Sequence, residues 1–110
     1  MAFGYKILGQ SAPADTSNAD LYSVPTSTET IVSSLAITNV TAAPASYRIY
    51  IRNSGAAAVN GNALVKDAIA EANTTTTIGI GISLAATDII TVQSGTADSI
   101  TFHAFGTEVG

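Results

Sequence analysis

Cysteine and tryptophan are both absent from the 110 residues. The first absence excludes disulfide frameworks, cysteine-ligated zinc and thiol catalysis. It leaves the compartment open, because a cysteine-free chain survives in either redox state. Methionine occurs once and aromatics make up only 6% of the chain. Much of the 46% apolar total is alanine, which buries little area per residue. A thin core follows, and a fold that gains stability from its neighbours. Charge is scarce as well: 11% of residues carry it, against about 25% in a typical soluble domain. Thr, Ser, Asn and Gln must supply the polar surface. Such a surface repels its own copies weakly, which suits a protein held in an ordered array, although a low-charge soluble domain would share the composition.

The only cations are Lys6, Arg48, Arg52 and Lys66, and the formal net charge is −4. Nucleic-acid binding needs many cations to displace phosphate counterions, so no nucleic-acid partner is expected. A polybasic membrane-surface site fails on the same ground. No apolar run approaches the ~18 residues of a membrane span. Ser11-Ala12-Pro13-Ala14 faintly resembles a cleavage site, but no apolar segment precedes it. The expectation is an unprocessed chain made in a cytoplasm.

What is present is period-two alternation. In Ile78-Gly79-Ile80-Gly81-Ile82-Ser83-Leu84 the aliphatic residues line one face of a strand and the glycines the other. A helix would scatter these apolar residues and lose about 1 kcal/mol at each glycine. Glycine facing away from a core marks close approach of another backbone or subunit. In Tyr47-Arg48-Ile49-Tyr50-Ile51-Arg52, Tyr47, Ile49 and Ile51 fit a core face and Arg48, Tyr50 and Arg52 an outer one. In Ile100 to Phe105, Ile100, Phe102 and Ala104 point inward. Ile31 to Val40 places Leu35 and Ile37 on one face, and Asp88 to Gln93 reads as a strand covered on both faces. Shorter strand candidates are Phe3 to Leu8 and Leu21 to Val24.

Turn chemistry separates these runs at Pro25-Thr26-Ser27, Ala42-Ala43-Pro44, Asn53-Ser54-Gly55, Asn60-Gly61, Ala85 to Asp88 and Ser94 to Asp98. Asn60-Gly61 is a strong hairpin-type signal. Ala63 to Ala72 is rich in helix formers and Asn62 could cap it, so helix and strand both fit; the all-strand context favours strand. The expected fold class is all-β: one antiparallel β-sandwich or jelly-roll-like domain over residues 1–110, with a loop or arm at about 9–20.

No assembled chemistry stands out. His103 is the sole histidine, and a general base or metal site needs convergent partners. A pairing with Asp98 or Glu108 has no motif behind it. The carboxylates fall mostly at turns, where Asp bonds nearby amides. Asp88 and Asp98 could meet at one end of a sandwich, but no calcium-loop spacing is present. Ser33-Ser34 lacks the glycines of a nucleophile elbow, and Gly79-Ile80-Gly81 has no phosphate-loop context. Asn39-Val40-Thr41 and Asn73-Thr74-Thr75 match the glycosylation sequon. No enzyme, metal or cofactor is expected. The interface candidates are the aromatics Phe3, Tyr5, Tyr50 and Phe105, outward on their strands if the alternation holds. Alternatively, other parts of the monomer cover them, since a one-residue slip exchanges the faces.

Several stretches together resemble small structural proteins of tailed bacteriophages. They are Tyr5-Lys6-Ile7-Leu8-Gly9-Gln10, Asp20-Leu21-Tyr22-Ser23-Val24-Pro25, Tyr47 to Arg52, Leu84 to Val92 and Ser99 to Gly106. The resemblance is a pattern of strands and turns with no chemical signature, and Ala63 to Ala72 departs from it. It implies a compact β-domain present in many copies in the virion, as a capsid cement or decoration protein or as a neck or tail component. A cement protein would bridge capsomers of the major capsid protein. It could do so through a sheet edge, with residues 9–20 clamping a neighbour. A homo-oligomer fits the small core, with a trimer among the expected forms. From a different class, a host-glycan-binding module would use Tyr50 and Phe105 as its aromatic platform.

Overall fold

The alternating segments become eight strands: β1 (Tyr5–Ser11), β2 (Ala19–Ser23), β3 (Glu29–Asn39), β4 (Ala45–Arg52), β5 (Ala63–Ala70), β6 (Thr75–Leu84), β7 (Ile89–Ser94) and β8 (Ile100–Val109). The structure is a computed structural model that describes residues 5–109, apart from the side chains of Tyr5 and Ile80. The strands form two four-stranded sheets, ordered β1-β8-β3-β6 and β2-β7-β4-β5. Every neighbouring pair is antiparallel. Eight strands in this order, laid face to face, make a jelly roll. The all-β sandwich expected from the alternation is what forms.

The interior follows the period-two pattern closely. Ile100, Phe102, Ala104, Leu35 and Ile37 from the first sheet meet Tyr47, Ile49, Ile90 and Val92 from the second. Phe102 packs edge-on against Tyr47, with ring centroids 6.3 Å apart and planes at 68°, an arrangement the ring quadrupoles favour. β7 is covered on both faces, with Ile90, Thr91 and Val92 all buried.

Bulges shape the sheets. In the first, Ser33 is extra against β8, and Leu8 is extra against the same strand. Two glycines sit beside these irregularities because no side chain fits. A Cβ on Gly9 would lie 2.1 Å from the Leu21 carbonyl oxygen, and one on Gly106 would lie 2.1 Å from the Ile31 carbonyl oxygen.

Residues 63–70 are strand despite their helix-forming composition. Pairing with β4, from Ala45↔Ala70 to Tyr50↔Ala63, outweighs local propensity. Asn62 closes a 3-10 turn instead of capping a helix. The strand absorbs extra residues at Leu64 and at Lys66-Asp67, where Asp67 adopts φ 55°. Asn60-Gly61 makes no tight hairpin; it belongs to that same 3-10 turn within the long connection 53–62.

The loop placed at 9–20 is shorter. Gly9 to Ser11 complete β1, and Ala19 and Asp20 begin β2. The intervening 12–18 segment is fastened down. Pro13 is buried and its carbonyl accepts the Asp98 N–H at 3.2 Å, while the Thr16 carbonyl accepts the Gln93 amide at 2.7 Å.

Candidate protein-contact surface

The strand registers sort the outer face of the β1-β8-β3-β6 sheet into cross-strand rows. One row reads Ser83, Ile31, Thr107, Tyr5; the next reads Gly79, Ser34, Phe105, Ile7. Then come Thr77, Ala36, His103, Gln10, and finally Thr75, Thr38, Thr101. None of these positions holds Asp, Glu, Lys or Arg, but the next outward position along β3 is the exposed Glu29, paired with Val109. Ile7 is 56% exposed and Ile31 47%. Phe105 stacks on His103, with centroids 6.2 Å apart and planes within 5°. The face is broad and partly apolar, with Glu29 at one end, its bulk on β1, β8 and at Ile31 of β3, and small side chains on β6.

The outer face of the other sheet is the opposite in character. Arg48 Nε donates to Asp67 Oδ1 at 2.6 Å and its Nη2 to Oδ2 at 3.2 Å. This hydrogen bond, followed by one to Tyr50, raises the guanidinium above its already high ordinary value, and Arg48 in turn holds the Asp67 carboxyl low. Arg52 donates to the carbonyls of Ala56 (2.6 Å) and Gly55 (3.1 Å) and to the Thr91 hydroxyl (3.1 Å). It also pairs with Asp20 at 3.3 Å. Arg48 and Arg52 are thus occupied in holding turns and neighbouring strands.

One polar cluster closes the gap between the sheets. Glu108 pairs with Lys6, and the Tyr22 hydroxyl donates to Glu108 Oε2 at 2.5 Å while lying 2.8 Å from Thr30 Oγ1. Burial, with the Glu108 hydrogen bond second, pushes the Tyr22 phenol up to about 12. Lys6, and after it Tyr22, holds the Glu108 carboxyl below its ordinary value. Tyr22 belongs to the second sheet and the other three residues to the first, so the cluster is a polar stitch across the sandwich.

The interface candidates fare differently. Phe105 stands on the outer face of the β1-β8-β3-β6 sheet. Tyr5 occupies a β1 position in the same set of rows, and Phe3 lies outside the described residues. Tyr50 was expected to be exposed and is not: only 5% of it is accessible. It sits on the outer side of β4, as the alternation requires, but the 53–62 connection folds back beside that strand and Arg48 bonds to it. Tyr50 and Phe105 also lie on different sheets, so they cannot share one aromatic platform.

His103 faces outward, stacked on Phe105, while Glu108 is engaged by Lys6 and Tyr22. Asp88 and Asp98 sit at opposite ends of β7. Asp88 is buried and accepts the backbone N–H groups of Ser54 (2.8 Å) and Ala85 (2.9 Å), an organiser of turns. No group of three or more metal-ligating side chains occurs among the described residues. Asn39, in one of the sequons, is fully buried and hydrogen-bonded through both ends of its amide. Sequence reasoning missed these interior polar roles. Only the Asn and Asp preference for turns hinted at them.

No protein-family model matches the sequence, and no protein of curated function does. Solved structures do match in fold. A chain in a structure of infectious bursal disease virus, Gx strain, is 14% identical with a TM-score of 0.55; the match covers 97% of this chain and 31% of that one. A chain in a structure of the same virus, Gt strain, is 11% identical with a TM-score of 0.48, covering 96% and 32%. This chain therefore spans about a third of the length of the chains it matches. The likeness to the first is one of fold, and it extends over nearly the whole jelly roll.

Proposed function

We propose that this chain is a virion structural protein, a non-enzymatic jelly-roll domain of the capsid cement or decoration type found in tailed bacteriophages. The observation that carries the reading is the outer face of the β1-β8-β3-β6 sheet: broad, with little charge, and with Ile7, Ile31 and Phe105 available to a neighbour. An exposed apolar surface of this kind marks a contact site. The Arg48–Asp67 and Arg52–Asp20 ion pairs lie on the opposite face, and Lys6–Glu108 lies at the seam between the sheets, so the more apolar side is the one suited to protein. The shared fold with a chain from a virus structure supports the same reading, although fold by itself does not assign function.

The mechanism is mechanical. Each bound copy buries apolar surface against its neighbours, so separating shell subunits also requires exposing that surface to water. Many weak, identical contacts then act together. The test uses shells of the encoding virus assembled without this protein. Adding the purified chain is expected to decorate them in a regular array and to raise their disruption temperature. No binding and no change in shell strength would overturn the reading; density confined to the neck or tail of intact particles would overturn the cement assignment.

A further inference from the structure

The edges of the two sheets are β1, β6, β2 and β5. Three of them are guarded. β1 carries Lys6 and the bulge at Leu8, and it packs against β2. β2 is five residues long, with Asp20 and an extra residue at Leu21. β5 carries Lys66 and Asp67 in a break of register, with Asp67 at φ 55°. Short length, charge and bulges are the usual defences of an open edge. β6 runs for ten residues with no Asp, Glu, Lys, Arg or Pro. Among the described residues it pairs with β3 alone. Its one irregularity, Ile80-Gly81 against Ser33, leaves Thr75 to Gly79 in unbroken register. Along that run alternate N–H and C=O groups point away from β3, with no strand to receive them. The inner side of this edge is open too. Ile78 and Ile82 pair with the buried Leu35 and Val32, so they face the interior, yet they are only partly buried. The cause lies in the second sheet: β5 lies against β3, and β6 has no comparable neighbour there. On the outer side a Cβ at Gly79 or Gly81 would meet nothing within 4 Å. Glycine inside a strand marks a place where another backbone comes close.

We propose that β6 receives an extended arm of a shell subunit as a fifth strand of its sheet. The arm's backbone bonds to the open groups of Thr75 to Gly79, and its alternate side chains turn inward and outward. The inward ones are aliphatic and close the seam beside Ile78 and Ile82; a charge there would be buried without a partner. A second copy presenting its own β6 fits this edge less well. Self-pairing about a two-fold axis stops at each copy's Ile80-Gly81 irregularity, so about five residues, or ~17 Å of strand, can match. With sheets ~10 Å apart, that edge offers on the order of 170 Å² per copy, far short of the ~1,000 Å² total of a specific interface. A flexible arm bends past the irregularity and follows the whole strand. Continuity points to the shell as its source. Thr77, Gly79 and Ser83 of β6 belong to the rows of the outer face, so an arm beside them extends the contact that the proposed function places there. This inference rests on that reading and names one strand and one kind of partner for it.

Neighbouring residues of a strand point their N–H groups to opposite sides, so one of Thr76 and Thr77 bonds to β3 and the other faces the open edge. Thr76→Pro and Thr77→Pro therefore separate the two roles. One should lower the melting temperature by losing a ladder bond. The other should melt close to wild type, because proline is tolerated on an edge. That stable variant is the edge-blocked one. Its affinity for shells of the encoding virus assembled without this protein should fall by roughly tenfold or more, for loss of an edge hydrogen bond and its neighbours. Hydrogen exchange of the wild-type chain gives a second readout. Edge-facing amides within 75–79 should exchange quickly in the free chain and become protected on shells, with the β5 edge unchanged. An edge-blocked variant that binds shells like wild type, or a bound chain with 75–79 still unprotected, overturns the inference and leaves the proposed function standing. A wild-type dimer in sedimentation equilibrium that the edge-blocked variant abolishes overturns the arm in favour of a second copy. A chain that binds no shells overturns the proposed function and this inference with it.

Discussion

Replacing Asn39 by aspartate changes one atom in the interior and almost nothing in shape. Asn39 ends β3, and its Nδ2 donates to the carbonyls of Ala43 (2.8 Å) and Ala70 (2.9 Å). Its Oδ1 accepts the Thr41 N–H (2.9 Å) and hydroxyl (2.8 Å). The amide thus joins β3, the 40–44 turn and the end of β5. In Asn39→Asp one oxygen still serves Thr41, but the other faces two carbonyls. If protonated, it donates to one of them and leaves the other unmet, at a cost of about 1–3 kcal/mol. If ionised, it leaves both unmet and buries a charge, so folding favours the proton and lifts this carboxyl above its usual ~3.9. A raised folded-state value means that stability is intact below the unfolded value and is lost as pH rises through the folded one. The variant therefore loses a further ~1.4 kcal/mol per pH unit above about pH 4, until its folded-state value is reached. A lift of about two units gives a total near 4–6 kcal/mol at neutral pH. Urea unfolding across the acid-to-neutral range, followed by tyrosine fluorescence and circular dichroism, measures this as the difference from wild type at each pH. Asn39→Ala provides the pH-flat control. A constant wild-type-minus-Asp difference at all pH values, or one below about 1 kcal/mol, would refute the interior network as described.

Other outcomes follow from single positions. Gly106→Ala should lose about 1–3 kcal/mol, because its Cβ meets backbone, whereas Gly79→Ala should be neutral or gain up to about 1 kcal/mol; thermal melts of the two compare an occupied site with an open one. Thr87 is a β-branched residue at φ 71°, so Thr87→Asn should stabilise by about 1 kcal/mol in urea titration. Glu108, held low by Lys6 and Tyr22, contributes stability that is present above the ordinary carboxylate range and lost as pH falls through its folded-state value. Acid titration of wild type should therefore show a loss that Glu108→Gln lacks. Tyr22, raised to about 12, gives the reverse sign: its contribution holds below its ordinary value of 10.0 and is lost as pH rises toward 12, and Tyr22→Phe should flatten that alkaline limb.

Residue order alone determined the strands, the inward faces and the class of fold. Alternation is a local property: Ile100, Phe102 and Ala104 point one way in any extended chain, and burying that side forces a second layer. Sequence also carried the shortage of charge and the outward glycines at 79 and 81. Tertiary structure decided the rest, because it depends on which strands become neighbours. Ala63 to Ala70 is strand only because β4 offers hydrogen bonds that local propensity cannot anticipate. Tyr50 is hidden, although its strand face was assigned correctly, because the connection that follows its strand folds back beside it; alternation gives the direction of a side chain and not what lies beyond it. The partly apolar face exists only once β1, β8, β3 and β6, far apart in the chain, lie side by side. No window of sequence contains the row Gly79, Ser34, Phe105, Ile7; it is assembled by register alone.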